Sequence, residues 1–146
     1  MIALIQRVSE AEVRVGGERV AAIGRGVLAL IGVQRGDSAE AGARLLERIL
    51  SYRVFPDAAE RMNVSLRDVG GGLLLVPQFT LAADTGKGTR AGFSTAAAPE
   101  EAQRLFGDLL GRAQAAYAPV SAGVFGAHMQ VSLVNDGPVT FLLSSR

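Results

Sequence analysis

The chain has 146 residues, of which 49% are hydrophobic and 20% are charged, with no cysteine and a formal net charge of +1. This size and composition predict one domain, residues 1–146, with its own hydrophobic core and no need of a structural metal. The absence of cysteine excludes a disulfide framework, an iron–sulfur site and a cysteine nucleophile, and it fits a cytoplasmic protein.

The first third of the chain has the pattern of β-strands. The opening eight residues are apolar but short and contain Arg7, so they predict a strand rather than a signal peptide or a membrane span. Residues 11–15 alternate apolar and charged side chains, which indicates a half-buried strand. Two glycines at 16–17 predict a hairpin turn into a strand over 19–23. The continuous apolar run 26–33 predicts a strand covered on both faces.

Two segments have helical spacing. Asp37 and Glu40 have the spacing of a capping box, which leaves Asp37 or Ser38 as the N-cap. The apolar stripe of this helix is Ala41, Leu45, Ile49 and Tyr52. Pro99 suits the first turn of a second helix, and the acidic residues that follow it match the positive end of the helix dipole. Its apolar stripe is Ala102, Leu105, Phe106, Leu109, Leu110 and Ala113.

The remaining strands frame a polar loop and a turn. An apolar strand is predicted over 73–76, followed by a glycine- and threonine-rich loop over 82–95. Residues 129–133 alternate as a strand, and 139–143 form another after a turn at 136–138. Together these elements predict a mixed α/β domain with many strands and about two long helices.

The sequence lacks the residues that several kinds of catalytic or binding site need. His128 is the single histidine, so neither a histidine-based metal cluster nor a serine triad with a spare base can be built, and no GxSxG motif is present. Its place on the polar side of an alternating strand predicts a solvated surface residue. Residues 86–89, GKGT, include the residue types of a phosphate-binding loop but do not have the spacing of that motif. We therefore expect no metal and no cofactor.

Two short motifs stand out. Pro77 cannot donate to a β-ladder, so the segment 77–80 must be an edge, a bulge or a strand end that exposes backbone N–H groups and the side chains of Gln78 and Thr80. On composition alone, a plain strand terminus explains it. Residues 135–138 are by default a plain turn, in which the Gly137–Pro138 peptide is the best candidate for a cis bond.

Arg7 lies on the same predicted strand face as Ala3 and Ile5. A guanidinium on that face needs backbone carbonyls or a carboxylate as partners.

Five blocks spread over almost the whole chain resemble the D-aminoacyl-tRNA deacylases in order and register. They are LIQRVSEAEVRVGGE, GVLALIGVQRGD, RVFPDAAERMNVSLRDVGGGLLLVPQFTL, GKGTRAGFS and GVFGAHMQVSLVNDGPVT. The resemblance implies the fold of that family, a barrel-like sheet of largely antiparallel strands with about two long helices. It also implies a homodimer with its active sites at the subunit interface, D-aminoacyl-tRNA as substrate, and no membrane association.

The resemblance assigns roles to individual residues. Gly137 and Pro138, joined by a cis bond, reach into the partner's site, where their carbonyls bind the substrate's amino group and exclude L-amino acids. Arg7 holds that Gly-Pro turn. Gln78, Phe79 and Thr80 match the pocket for the terminal adenosine and the ester, and Met129 matches a residue that lines this pocket.

The implied reaction is hydrolysis of the ester that joins a D-amino acid to tRNA. The backbone N–H groups of Phe79 and Thr80 are the candidate donors to the developing oxyanion. The 2′-hydroxyl of the RNA assists a water, so the protein supplies no general base. Because chirality is read at the backbone, glycyl-tRNA is a second expected substrate.

Three positions depart from the family pattern. Pro77 replaces a usual serine and removes a hydroxyl and an N–H from the pocket rim. Ala91 replaces a usual proline, and His128 replaces a common aspartate on the solvated face. The change at Pro77 motivates an alternative hypothesis, a tRNA- or nucleotide-binding homodimer of the same fold with little turnover.

Overall fold

The computed structural model describes residues 1–146 as one six-stranded sheet, one two-stranded hairpin and a layer of helices. The strands are β1 (Ile2–Val15), β2 (Glu18–Ile23), β3 (Gly26–Gly32), β4 (Arg53–Pro56), β5 (Met62–Ser65), β6 (Gly72–Pro77), β7 (Val120–Ala122) and β8 (Gln130–Ser144). The helices are α1 (Ala39–Ser51), α2 (Leu66–Val69) and α3 (Pro99–Ala116), with a short 3-10 helix at Phe79–Ala82.

The long strand β1 organises the sheet. Along one edge it pairs with β8, and along the other it pairs first with β3 and then with β2. These pairs are antiparallel, whereas β3–β6 and β6–β7 are parallel. The prediction of a mixed and largely antiparallel sheet is therefore confirmed.

The sheet curls until it is nearly closed. A cluster of seven buried residues from β1, β2, β3 and β6 fills the inside of the curl: Val8, Ala11, Val13, Ala21, Leu28, Leu74 and Val76. The hydroxyl of Ser121 on β7 donates to the carbonyl of Ala22 on β2 at 3.3 Å, which links strands from opposite ends of the sheet. The expected barrel-like sheet is confirmed.

The helices cover the outer face through a larger core of 22 buried residues. Leu45 and Ile49 of α1 and Leu105 and Leu109 of α3 are all buried, as the two predicted stripes require. The N-cap of α1 is Ser38, whose hydroxyl accepts from the N–H of Ala41 at 3.2 Å. α1 and α3 are the two long helices, and α2 adds a single turn.

The structure corrects the prediction of two closing strands separated by a turn. β8 is one strand, and the segment 136–138 is a bulge within it. Gln6 pairs with Thr140 and Val8 pairs with Asn135, so five steps along β8 oppose two along β1. The chain can bulge here without leaving the sheet because pairing with β1 resumes on both sides.

Candidate active site

The first motif lies where β6 ends. Pro77 is the last residue of β6 and is opposite Ile31 of β3, whose carbonyl accepts from the N–H of Gln78 at 2.7 Å. Successive residues of a strand point their N–H groups to opposite sides, so the nitrogen of Pro77 faces β7. β7 stops pairing at Ala122, and the proline therefore interrupts no ladder. The predicted strand end is confirmed.

A single turn of 3-10 helix follows the strand end. The N–H groups of Phe79 and Thr80 open this turn, where no intrahelical acceptor precedes them, and no side chain caps it. The amide of Gln78 donates to the hydroxyl of Thr80, which is exposed. The three predicted residues thus form one rim, made of two N–H groups, a hydroxyl and an aromatic ring.

An aromatic pair lies beside this rim. Phe79 is 55% exposed and Phe93 is 46% exposed, and their ring centroids are 5.2 Å apart. Large exposed rings offer a platform on which a nucleobase can stack. Phe93 was not among the predicted site residues, although it belongs to the GKGTRAGFS block that resembles the family.

Met129 also reaches the strand end. Its sulfur accepts from the N–H of Val124 at 3.3 Å. A Cβ added to Gly123 would lie 2.8 Å from that sulfur and 3.5 Å from Cδ of Pro77. Met129 and Pro77 therefore flank the same glycine, and a role for Met129 in lining a pocket stays a prediction.

The second motif is the bulge in β8. Asn135 closes it by donating from its amide to the hydroxyl of Thr140 at 2.8 Å and by accepting from the N–H of Val139 at 3.1 Å. The Gly137–Pro138 peptide is cis, as predicted, and both residues are exposed. A Cβ on Gly137 would lie 2.7 Å from Cγ2 of Val139, and its φ of +138° disfavours other residues.

Arg7 anchors this bulge. Its Nε donates to the carbonyl of Asp136 at 2.9 Å, and another guanidinium nitrogen donates to the carbonyl of Val54 at 2.7 Å. The carboxylate of Asp136 lies 3.6 Å from Nε. Both predicted kinds of partner are present. Val54 was not predicted, because a backbone acceptor leaves no trace in residue type.

The two motifs lie far apart within one chain. Arg7, opposite the bulge, pairs with Val27 of β3. Pro77 pairs with Ile31, which lies four residues further along β3. The line from β8 to β6 also crosses β1 and β3. At about 3.3 Å per residue and about 4.8 Å per strand, the path along the curled sheet between the motifs is on the order of 20 Å. The structure groups Gln78, Phe79 and Thr80 with Met129, and it groups Arg7 separately with Gly137–Pro138.

Other features of the fold bear on the chemistry. No three His, Cys, Asp or Glu side chains gather into a group that could hold a metal ion. His128 is exposed, near the β1–β2 turn, in agreement with the surface role predicted for it. None of the helices has the length and apolar character needed to cross a bilayer.

Comparison with known proteins identifies the family. The sequence model of D-Tyr-tRNA(Tyr) deacylase matches residues 4–144. The D-aminoacyl-tRNA deacylase of Thioalkalivibrio sulfidiphilus is 68% identical over 143 residues, which cover 98% of this chain and 96% of the relative. The enzyme of the same name from Vibrio cholerae is 59% identical over 145 residues, 99% of this chain and 100% of the relative.

Two solved structures share the fold of this chain. One described as c-Myc DNA Unwinding Element Binding Protein matches with a TM-score of 0.95 and 38% identity, over 100% of this chain and 99% of its own. A probable eukaryotic D-amino acid tRNA deacylase has a TM-score of 0.79 over 97% of each chain, and at 17% identity it supports the fold alone. The chain is thus an enzyme of the hydrolase class. It belongs to the D-Tyr-tRNA(Tyr) deacylase family.

Proposed function

We propose that this protein hydrolyses the ester bond of D-aminoacyl-tRNA and releases the free D-amino acid and tRNA in the cytoplasm. The observation that carries the proposal is the rim at the end of β6, where the N–H groups of Phe79 and Thr80 open an uncapped turn beside exposed aromatic rings. The relatives of the same length that bear this name support the choice of substrate.

Catalysis at this rim rests on stabilising charge. Negative charge develops on the ester carbonyl oxygen when water attacks, and preorganised N–H donors stabilise it, each worth about 100- to 1000-fold in rate. The N–H groups of Phe79 and Thr80 are the donors, and the amide of Gln78 orients the hydroxyl of Thr80. The terminal adenosine stacks on Phe79, and its own 2′-hydroxyl assists the attacking water.

Chiral selection comes from Gly137 and Pro138 of a second copy of the chain. The carbonyl carbon and the amino nitrogen of an amino acid are only two bonds apart, but within one chain the neighbours of Gly137 are Val139 and Arg7 rather than residues of the rim. The exposed bulge, held by Arg7, can instead enter the site of a partner. Its carbonyls accept from the amino group of a D-amino acid, and an L-side chain collides with the same backbone.

An apolar surface supports the homodimer. Leu4 pairs with Leu30 on one side and with Leu142 on the other, on the sheet face opposite the helices. Leu142 is 64% exposed, and β8 has no strand partner along its outer edge. Leu4 and Leu30 are half-buried, so the exposed Leu142 beside this open edge is the apolar group that a symmetric dimer would cover on both copies.

Glycyl-tRNA is a second proposed substrate. A selector made of backbone carbonyls rejects a side chain on one side of the α-carbon but does not require one on the other. Glycine has no side chain to collide with Gly137 or Pro138, so its ester should enter the same site.

Pro77 favours one rival proposal, a homodimer that binds tRNA or nucleotide with little turnover. A proline at the rim supplies neither a hydroxyl nor an N–H to the substrate. Under this alternative the aromatic platform and the dimer persist while the ester survives.

Incubation with D-tyrosyl-, L-tyrosyl- and glycyl-tRNA separates these proposals. The deacylase should release D-tyrosine and glycine rapidly and spare L-tyrosyl-tRNA. Tight binding of D-tyrosyl-tRNA without release of the amino acid would establish the rival. Comparable loss of the D- and L-esters would contradict the selector formed by Gly137 and Pro138.

A further inference from the structure

The loop that follows the proposed catalytic rim carries charged residues that the proposed reaction does not use. Backbone hydrogen bonds in both directions between Asp84 and Gly92, at 2.7 and 2.9 Å, close residues 84–92 into a compact loop. The loop carries two cations, Lys87 and Arg90, and one anion, Asp84. The carboxylate of Asp84 accepts from the N–H of Gly86 at 2.9 Å and so is engaged with the backbone of the loop itself.

The cations of this loop are unpaired. Lys87 and Arg90 are exposed and have neither an ion-pair nor a hydrogen-bond partner, whereas Arg67, Arg104 and Arg112 of the helix layer each pair with a carboxylate. Arg35 is a third cation without an ion-pair partner. It lies beside the loop, because its backbone N–H donates to the carbonyl of Thr95 at 3.0 Å. Exposed cations on one loop and on the segment beside it can attract an anion although the net charge of the chain is only +1.

The loop is directly joined to the site. Phe93 follows the closing residue Gly92, and its ring contacts that of Phe79. The hydroxyl of Thr95 donates to the carbonyl of Ala82 at 2.6 Å, which ties the far end of the loop to the 3-10 turn. A terminal nucleotide stacked on Phe79 carries its ester on the 3′ side, so its RNA chain can continue only through the 5′ phosphate.

We propose that the loop 84–92 is a phosphate-binding site for the single-stranded 3′ end of the tRNA, with Lys87 and Arg90 neutralising backbone phosphates and Arg35 extending the site at its base. This inference rests on the proposed function, since it assumes that the terminal nucleotide occupies the rim. The loop fixes the direction in which the RNA leaves the active site. It makes no base-specific contact and adds affinity without chiral discrimination.

The test compares the wild type, a K87A/R90A variant and an R67A/R112A control that loses the same charge in the helix layer. Binding of uncharged tRNA is measured against salt concentration. Each phosphate contact on a single strand contributes about 0.7 to the slope of log K against log salt, so K87A/R90A should lower the slope by about 1.4. The control should keep the slope of the wild type, and a K87A/R90A slope equal to the control's would overturn the proposal.

Kinetics add a second readout. For D-tyrosyl-tRNA the K87A/R90A variant should raise KM and leave kcat unchanged, and for D-tyrosyl-adenosine, which has no phosphate, it should match the wild type. An equal loss on both substrates would show that the loop acts on the rim rather than on phosphates. If the wild type hydrolyses neither ester, the proposed function fails, while the salt slope still decides whether the loop binds RNA.

Discussion

The guanidinium of Arg7 donates to the carbonyl of Asp136 at 2.9 Å and thereby fixes the residue that immediately precedes Gly137. The same guanidinium donates to the carbonyl of Val54 at 2.7 Å, so two backbone segments distant in sequence are held by one planar side chain. The position of the exposed Gly137–Pro138 peptide therefore depends on the geometry of Arg7 as well as on its charge.

Replacing Arg7 by lysine tests that dependence. A lysine keeps the charge but has a single nitrogen, which cannot hold both carbonyls in the planar geometry of the guanidinium. A displacement of about 1 Å in a substrate-positioning group can cost about 100-fold, so kcat/KM for D-tyrosyl-tRNA should fall by about that factor. The variant R14K, in the same strand but paired with the half-buried Glu12 away from both motifs, is the control and should keep its rate. Full activity in R7K would contradict the anchoring role.

A substitution at Pro77 should raise activity, whereas the substitution at Arg7 should lower it. Replacing it by serine restores a hydroxyl at the rim, and it restores an N–H on the side where β7 has ended and no strand competes for it. One additional transition-state hydrogen bond of about 1.4 kcal/mol corresponds to about tenfold in rate, so P77S should raise kcat by up to that factor. The ratio of D- to L-rates should not change, because the selector lies elsewhere. A lower kcat with an intact fold would show that the proline itself shapes the rim.

Asp37 provides a test of stability independent of the candidate site. The ammonium of Met1 lies 2.7 Å from the carboxylate of Asp37, and their side chains are 0% and 2% exposed. The carboxylate also accepts from the N–H of Gln34 at 2.7 Å. Removing one partner of a buried ion pair costs about 3–5 kcal/mol, so D37N should lower the free energy of unfolding by about that amount.

The matched control is E101Q, which removes the pair between Glu101 and Arg104 on the surface of α3 and should change the free energy of unfolding by less than about 1 kcal/mol. Urea denaturation measures both variants. A D37N variant with an unchanged unfolding midpoint would contradict the importance of this pair.

The phenol of Tyr117 should make the free energy of unfolding depend on pH. Its hydroxyl donates to the carbonyls of Leu66 and Gly71, and burial raises its pKa above the ordinary value of 10.0. Above pH 10 the unfolded chain therefore loses the phenolic proton before the folded chain does. The stability that this group contributes is complete below pH 10 and is lost as the pH rises through the folded value.

The variant Y117F separates this effect from general alkaline unfolding. It should cost about 1–3 kcal/mol at neutral pH, because two carbonyls lose their donor. Its free energy of unfolding should then fall less steeply than that of the wild type above pH 10. Parallel curves for the two proteins would contradict the assignment.

Much of the site was predictable because certain residue types constrain the backbone around them. Pro77 cannot donate to a ladder, so a strand end was foreseeable, and a guanidinium on the face of Ala3 and Ile5 required polar partners. The cis bond at Gly137–Pro138 followed from the residue pair and the resemblance. These features depend on local covalent geometry or on a single residue type.

Other features depend on relationships that residue type does not encode. Asn135–Thr140 has the composition of a turn, and only its pairing with β1 on both sides makes it a bulge in one strand. The acceptor in Val54 is a carbonyl that every residue possesses. The separation of the two motifs follows from the order of strands in the sheet, which local periodicity cannot give.

The central claim is that the end of β6 in one chain and the bulge of β8 in another form one deacylation site. Subunit mixing tests it directly. Thr80→Pro removes a donor N–H and the hydroxyl from the rim, and G137A displaces the selector, so each homodimer alone should be inactive toward D-tyrosyl-tRNA or lose its preference over L-tyrosyl-tRNA. A mixed dimer contains one site in which both motifs are intact.

After denaturation and refolding together in equal amounts, half of the dimers are mixed and half of their sites are complete. D-specific activity should therefore return to about a quarter of the wild-type value. If mixed dimers are shown to form and the mixture gains no D-specific activity over the two separate variants, the shared site is contradicted, and the two motifs would then have to act within a single chain.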